Sequence, residues 1–143
     1  RAEGAEAERA FLRALDFAVP LAESAGLRLL IEPLNTRDVP GYFLTSTDEA
    51  ARIVDRIGSP RLGIMYDFYH MQVMQGDHLA RLATLGGRVF HHQIAAVPDR
   101  GEPDEGELNL PRILAGAGIA RVGAEYRPSM APRDWLARFR AAF

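Results

Sequence analysis

Residues 27–35, LRLLIEPLN, decide how this chain is read. Leu27 and the apolar run 29–31, interrupted only by Arg28, have the composition of a parallel strand covered on both faces. Pro33 has no N–H to donate and stops the ladder, so a strand is predicted over 27–32. Alternation puts Glu32 on the same face as Leu30, a carboxylate one layer above a packed aliphatic side chain. An unpaired charge there is costly, which predicts that Glu32 serves a metal ion or a proton transfer. The bland alternative is a strand-end glutamate that points into water.

Upstream, residues 5–25 carry Phe11, Leu12, Leu15, Ala18 and Val19 at helical spacing, with Pro20 as a kink point and Gly26 placed to end the helix. Downstream comes a loop with Asn35, Thr36, Asp38, Pro40 and Gly41, then a helix over 46–57 capped by Ser46 or Thr47. LGIMYD at 62–67 repeats the first strand, an apolar run that ends in a carboxylate. A short helix at 78–85, a strand at 88–94, a polar loop at 95–109, a helix at 110–117, a strand at 121–126 and a helix at 132–143 complete the reading. Strand starts at 27, 62, 88 and 121 are 35, 26 and 33 residues apart, the period of βα units.

The predicted fold class is therefore α/β, with four parallel βα units forming the C-terminal half of a (β/α)8 TIM barrel in one domain, 1–143. A whole barrel needs about 250 residues. Because Arg1 opens the chain without a methionine, the first four strands are expected upstream. A four-stranded open sheet is the alternative, but polar residues end all four strands, and in a barrel those ends ring one mouth. The two outer strands are expected to pair with the other half barrel or, in a homo-oligomer, with another copy.

Composition narrows the chemistry. All seventeen basic residues are Arg, so no lysine is available for a Schiff base within this chain. Cysteine is absent, which removes disulfides, thiolate nucleophiles and cysteine zinc sites together. A net charge of -2 lacks the basic balance of a nucleic-acid binder, and no apolar stretch approaches the roughly 20 residues of a membrane span. The expected compartment is the cytoplasm.

The strand-end residues Glu32, Asp67, Gln93 and Glu125 form a hard, oxygen-rich set suited to Mg²⁺ or Mn²⁺. Three carboxylates converging without a cation would repel one another. Gln93 alone also reads as a satisfied core amide. His70, three residues after Asp67, is placed in a loop over the same mouth, where it either donates to a substrate oxygen or bonds backbone. His91 is assigned a structural role and His92 faces a helix. Arg100 is a candidate clamp for a substrate carboxylate, Arg127 either does the same or pairs with a surface acid, and Glu107 ties down the long loop.

The segments IEPLNTRDVPGYF, YDFYHMQ, HHQIAAVPDRGEPDEGELN and GAEYRP together resemble the hydroxypyruvate isomerase group of the xylose-isomerase-like sugar isomerases and epimerases. The resemblance runs from about residue 27 to 128 and implies a TIM barrel with a divalent metal at its mouth. It implies that Glu32 and Glu125 are paired catalytic carboxylates and also ligands, and that Asp67 and Gln93 complete the coordination; Asn35, His70, Arg100 and Arg127 are the residues expected to contact substrate. The implied reaction is an aldose-ketose type interconversion of a small hydroxy-oxo acid, led by hydroxypyruvate to tartronate semialdehyde. There are departures: Arg100, Gly101, Glu102 and Pro103 stand where the group commonly shows RHEP, and Arg127 replaces a lysine. The same loop resembles the sister group of 2-oxo-tetronate isomerases; a ketose 3-epimerase is a further alternative, and an abasic-site endonuclease and a non-enzymatic half barrel are the remaining ones.

Overall fold

The computed structural model describes residues 2–142; the predicted last helix residue, Phe143, lies outside them. Its elements are α1 (Ala2–Ser24), β1 (Leu29–Ile31), α2 (Thr47–Ile57), β2 (Leu62–Asp67), α3 (Phe68–Met74), α4 (His78–Leu85), β3 (Val89–Ile94), α5 (Leu110–Gly116), β4 (Gly123–Ala124) and α6 (Pro132–Ala141). The strands pair parallel in the order β1-β2-β3-β4, each neighbour joined through helix. This is the α/β sheet that the strand spacing predicted.

Local chemistry sets the boundaries. Ser46 caps α2 by accepting from the Glu49 N–H at 3.2 Å, and Gly58 ends it at φ 67°, a left-handed conformation that costs glycine no Cβ clash. Ile31, Leu62, Ile64, Tyr66 and Ile94 meet Leu15, Val19, Ile53, Val54 and Leu114 from the helices in one buried core. The opposite rank of strand residues, Leu30, Met65, His91 and Gln93, is only half-buried. A register shift between Ile64 and Met65 lets Phe90 slide over Gly63, which has no Cβ to obstruct the ring.

Three boundaries differ from the sequence reading. The first strand spans Leu29–Ile31 rather than 27–32, because the Leu27 N–H still donates to Ala22 O at 2.8 Å in the turn that ends α1. His70 lies in α3 rather than a loop: Asp67 caps that helix by accepting from the Tyr69 N–H at 2.8 Å, so β2 runs into it with no connection. The fourth strand shrinks from the expected six residues to two, although the Glu125 N–H still donates to Ile94 O at 3.2 Å. Its sequence, RVGAEY, is bounded by the turn at Gly118 and by Pro128, and only its middle finds ladder partners on β3. No helix among the described residues is long and apolar enough to cross a membrane.

Candidate active site

Glu32 follows β1, Asp67 ends β2, Gln93 stands one residue before the end of β3, and Glu125 follows β4. All four therefore occupy C-terminal strand ends of one parallel sheet, with Asp67 directly opposite Gln93 in the ladder. Glu32, Asp67 and His70 each offer a donor atom within 4.8 Å of the others. Asp67 has no exposed surface; one oxygen caps α3, and the other faces His70 Nε2 at 3.7 Å and Arg100 Nη2 at 3.4 Å. Arg100 Nη2 also lies 3.0 Å from Glu125 Oε1, so one guanidinium spans the carboxylates at the ends of β2 and β4, across β3.

Crowding shows in the acidities. Burial first, and then the charges of Asp67 and Glu125, push Glu32 up to about 7, against a smaller lowering by Arg100. Burial pushes Asp67 up to about 6, opposed by the Tyr69 N–H and by Arg100. Burial also holds His70 down to about 4, helped by Arg100. Glu32 Oε1 and Gln93 Oε1 are buried and without a hydrogen-bond partner among the described residues. Two orphaned oxygens beside clustered carboxylates are the donor set a hard divalent cation would satisfy, so these residues fit such an ion.

Asn35 is fully buried, with its side chain turned to His70 and Asp38 rather than to the mouth. Arg127 is exposed; its backbone N–H donates to Arg100 O at 2.7 Å, and its charge helps hold the Asp38 carboxyl below its ordinary range, after the hydrogen bonds from Tyr69 and Asn35. Glu107 accepts from Gln72 Nε2 at 3.1 Å and its N–H reaches Val97 O, so it does tie down the long loop. His92 stacks on Phe68 of α3.

Three residues near the mouth escaped the sequence reading. Tyr69 donates to Asp38 Oδ2 at 2.5 Å, and the Arg100 guanidinium lies 5.0 Å over its ring. Tyr42 lies near enough to Glu32 for that charge to add to burial in raising its phenol. Glu102 is 3% exposed and accepts from the Ser129 N–H at 2.5 Å, and from the Ser129 hydroxyl and the Met130 N–H at 3.1 Å each. The only sequence signal for Glu102 was its place in RGEP, between two residues that bend the chain.

Parallel βα units with carboxylates gathered at the C-terminal strand ends define the barrel class whose sites sit at that face. Within that class the chain belongs to the xylose isomerase-like TIM barrel family, whose sequence profile matches residues 1–117. It is 40% identical over 94% of its length to a 2-oxo-tetronate isomerase of Cupriavidus necator, and 38% identical over 80% to the hydroxypyruvate isomerase of Escherichia coli. It covers 55% and 46% of those two proteins, so the chain spans about half the length of the curated relatives it matches. A crystal structure titled AP endonuclease, family 2, from Brucella melitensis superposes with a TM-score of 0.84 at 40% identity, over 94% of this chain and 54% of that one. The 3-keto-D-glucoside 4-epimerase of E. coli shares the fold at 24% identity, with a TM-score of 0.78 over 91% of this chain and 52% of that one.

Proposed function

We propose that this chain supplies the proton-transfer site of an isomerase acting on a small hydroxy-oxo acid, with hydroxypyruvate and tartronate semialdehyde as the leading pair. The observation that carries the reading is the grouping of Glu32 with Asp67 within 4.8 Å, with Glu125 linked to Asp67 through Arg100, while Glu32 Oε1 and Gln93 Oε1 are buried without a partner. The names of the relatives point to the same substrate class. Glu32, Asp67, Gln93 and Glu125 would hold Mg²⁺ or Mn²⁺, which would supply Lewis acidity toward the substrate oxygens. The residues do the rest. Glu32, whose carboxyl is raised to about 7 before any cation binds, is suited to one half of the transfer, and Glu125 is left the other. One takes the proton from C3 and an enediolate forms; the other returns a proton to C2, while the hydroxyl proton on O3 passes to O2, so atoms and charge balance. Arg100 and Arg127 are the cations available for the substrate carboxylate.

A second reading, isomerisation of a 2-oxo-tetronate, draws on the 40% identity to a protein of that name and on the RGEP loop. The test is turnover by the full-length protein of both acids, of neutral ketoses and of abasic-site DNA, with Mg²⁺ or Mn²⁺ and after chelation. Chelator-sensitive isomerisation of one oxo acid is expected. Turnover of neutral ketoses or abasic DNA with neither acid accepted overturns the proposal.

A further inference from the structure

We infer that Asn35 is a positioning residue that fixes the tautomer of His70, so that Nε2 carries the proton and is presented at the mouth as a hydrogen-bond donor. The orientation of the Asn35 amide follows from Asp38, whose backbone N–H reaches Asn35 Oδ1 at 2.7 Å, because only the oxygen end can accept. The nitrogen end is thereby turned to His70 Nδ1 at 2.7 Å and to Asp38 Oδ2 at 3.2 Å. The backbone N–H of Asn35 donates to the same Nδ1 at 3.1 Å. Two donors converging on Nδ1 require a lone pair there, and a neutral imidazole then has its proton on Nε2.

The arrangement is braced from behind. Asp38 Oδ2 accepts from the Tyr69 hydroxyl at 2.5 Å, and Asn35 and His70 are 0% and 2% exposed, so neither side chain has room to turn. The free face of the ring is Nε2, 3.7 Å from Asp67 Oδ2. A nitrogen that bears hydrogen offers no lone pair to a cation. His70 is thus a donor beside the carboxylates, although its ring lies close enough to be counted with Glu32 and Asp67 as a third ligand.

The inference rests on the proposed function only in that the donor would face a substrate oxygen. Its test is read without substrate: two-bond ¹H–¹⁵N correlation spectra of the full-length, metal-free protein, repeated with Mg²⁺. A pyridine-like Nδ1 and a pyrrole-like Nε2 at His70, both unchanged by Mg²⁺, are expected. Asn35→Ala keeps the backbone donor and should keep that tautomer; Asn35→Asp sets an acceptor against Nδ1 and should move the proton there. A pyrrole-like Nδ1 in the wild type, loss of the Nε2 proton on adding Mg²⁺, or a folded Asn35→Asp variant with the wild-type tautomer overturns the inference. If that variant does not fold, the wild-type and Asn35→Ala spectra decide alone. Loss of the isomerase reading would leave these spectra unchanged, so the two failures are distinguishable.

Discussion

The Arg100 guanidinium lies 3.4 Å from the carboxylate of Asp67, a residue 33 positions earlier that has no exposed surface. With Glu125 at 3.0 Å from the same nitrogen, Arg100 acts as the cation of this mouth. A divalent ion entering among these carboxylates would have to work against that charge. Arg100→Gln should therefore bind Mn²⁺ more tightly, by about 1 kcal/mol or roughly fivefold once solvent screening is allowed for. Calorimetric titration of the metal-free full-length protein checks this; weaker or unchanged binding would contradict it.

Glu32→Gln and Glu125→Gln should each lower turnover by about 10² to 10⁴, the range of a general acid-base step. Glu32→Gln should not lower the melting temperature, since it removes one charge from a crowded, half-buried group. Steady-state kinetics beside thermal unfolding separate the two effects. A variant that retains more than about a tenth of wild-type turnover defeats the assigned role.

Stability should follow pH with a definite sign. Glu32 and Asp67 have folded-state values near 7 and 6, above their ordinary 4.5 and 3.8, so in the metal-free protein they hold protons that the unfolded chain has released. Their contribution is complete below the ordinary values and is lost as pH rises through 6 and 7. The buried His70 and His78, held down to about 4, act in the opposite sense at lower pH, so the informative quantity is the difference between wild type and Glu32→Gln. Between about pH 5 and pH 8 the wild type should lose about 2 kcal/mol relative to the variant, after discounting for partial exposure. Thermal unfolding in both buffers measures it, and a flat difference would show that Glu32 is not crowded.

Gly63→Ala should destabilise the sheet. The Phe90 ring occupies the space a Cβ would need, and the Arg28 guanidinium lies 4.9 Å over that ring. Overpacking of this kind costs about 1 to 3 kcal/mol. Denaturant unfolding gives the value, and a smaller Phe90 side chain in the double variant should recover part of it.

Much of this molecule is legible from period and punctuation. The four strand positions follow from apolar runs that stop at Glu32, Asp67, Gln93 and Glu125, and the structure sets those residues at the C-terminal strand ends of one sheet. What was not legible depends on distance in space. Phe68–Met74 carries too few residues for a helical period, and its cap is Asp67, a residue already assigned to a strand. The partnership of Asn35 with His70 spans 35 positions, and that of Glu102 with Ser129 spans 27, and neither leaves a local pattern. The sequence marks Arg100 as a cation for a substrate carboxylate but carries no sign of its contacts with Asp67 and Glu125, which only the register of three strands brings within reach.

The clamp of Glu102 on Ser129 and Met130 makes the loops after β3 and β4 a single interchangeable cassette. Arg127 reinforces it by donating to the backbone of Arg100, and Arg138 of α6 pairs with Asp104. Transplanting either loop alone into a related barrel would strand a buried carboxylate against foreign backbone. A graft intended to change which molecule this rim admits must carry residues 95–109 and 125–131 together.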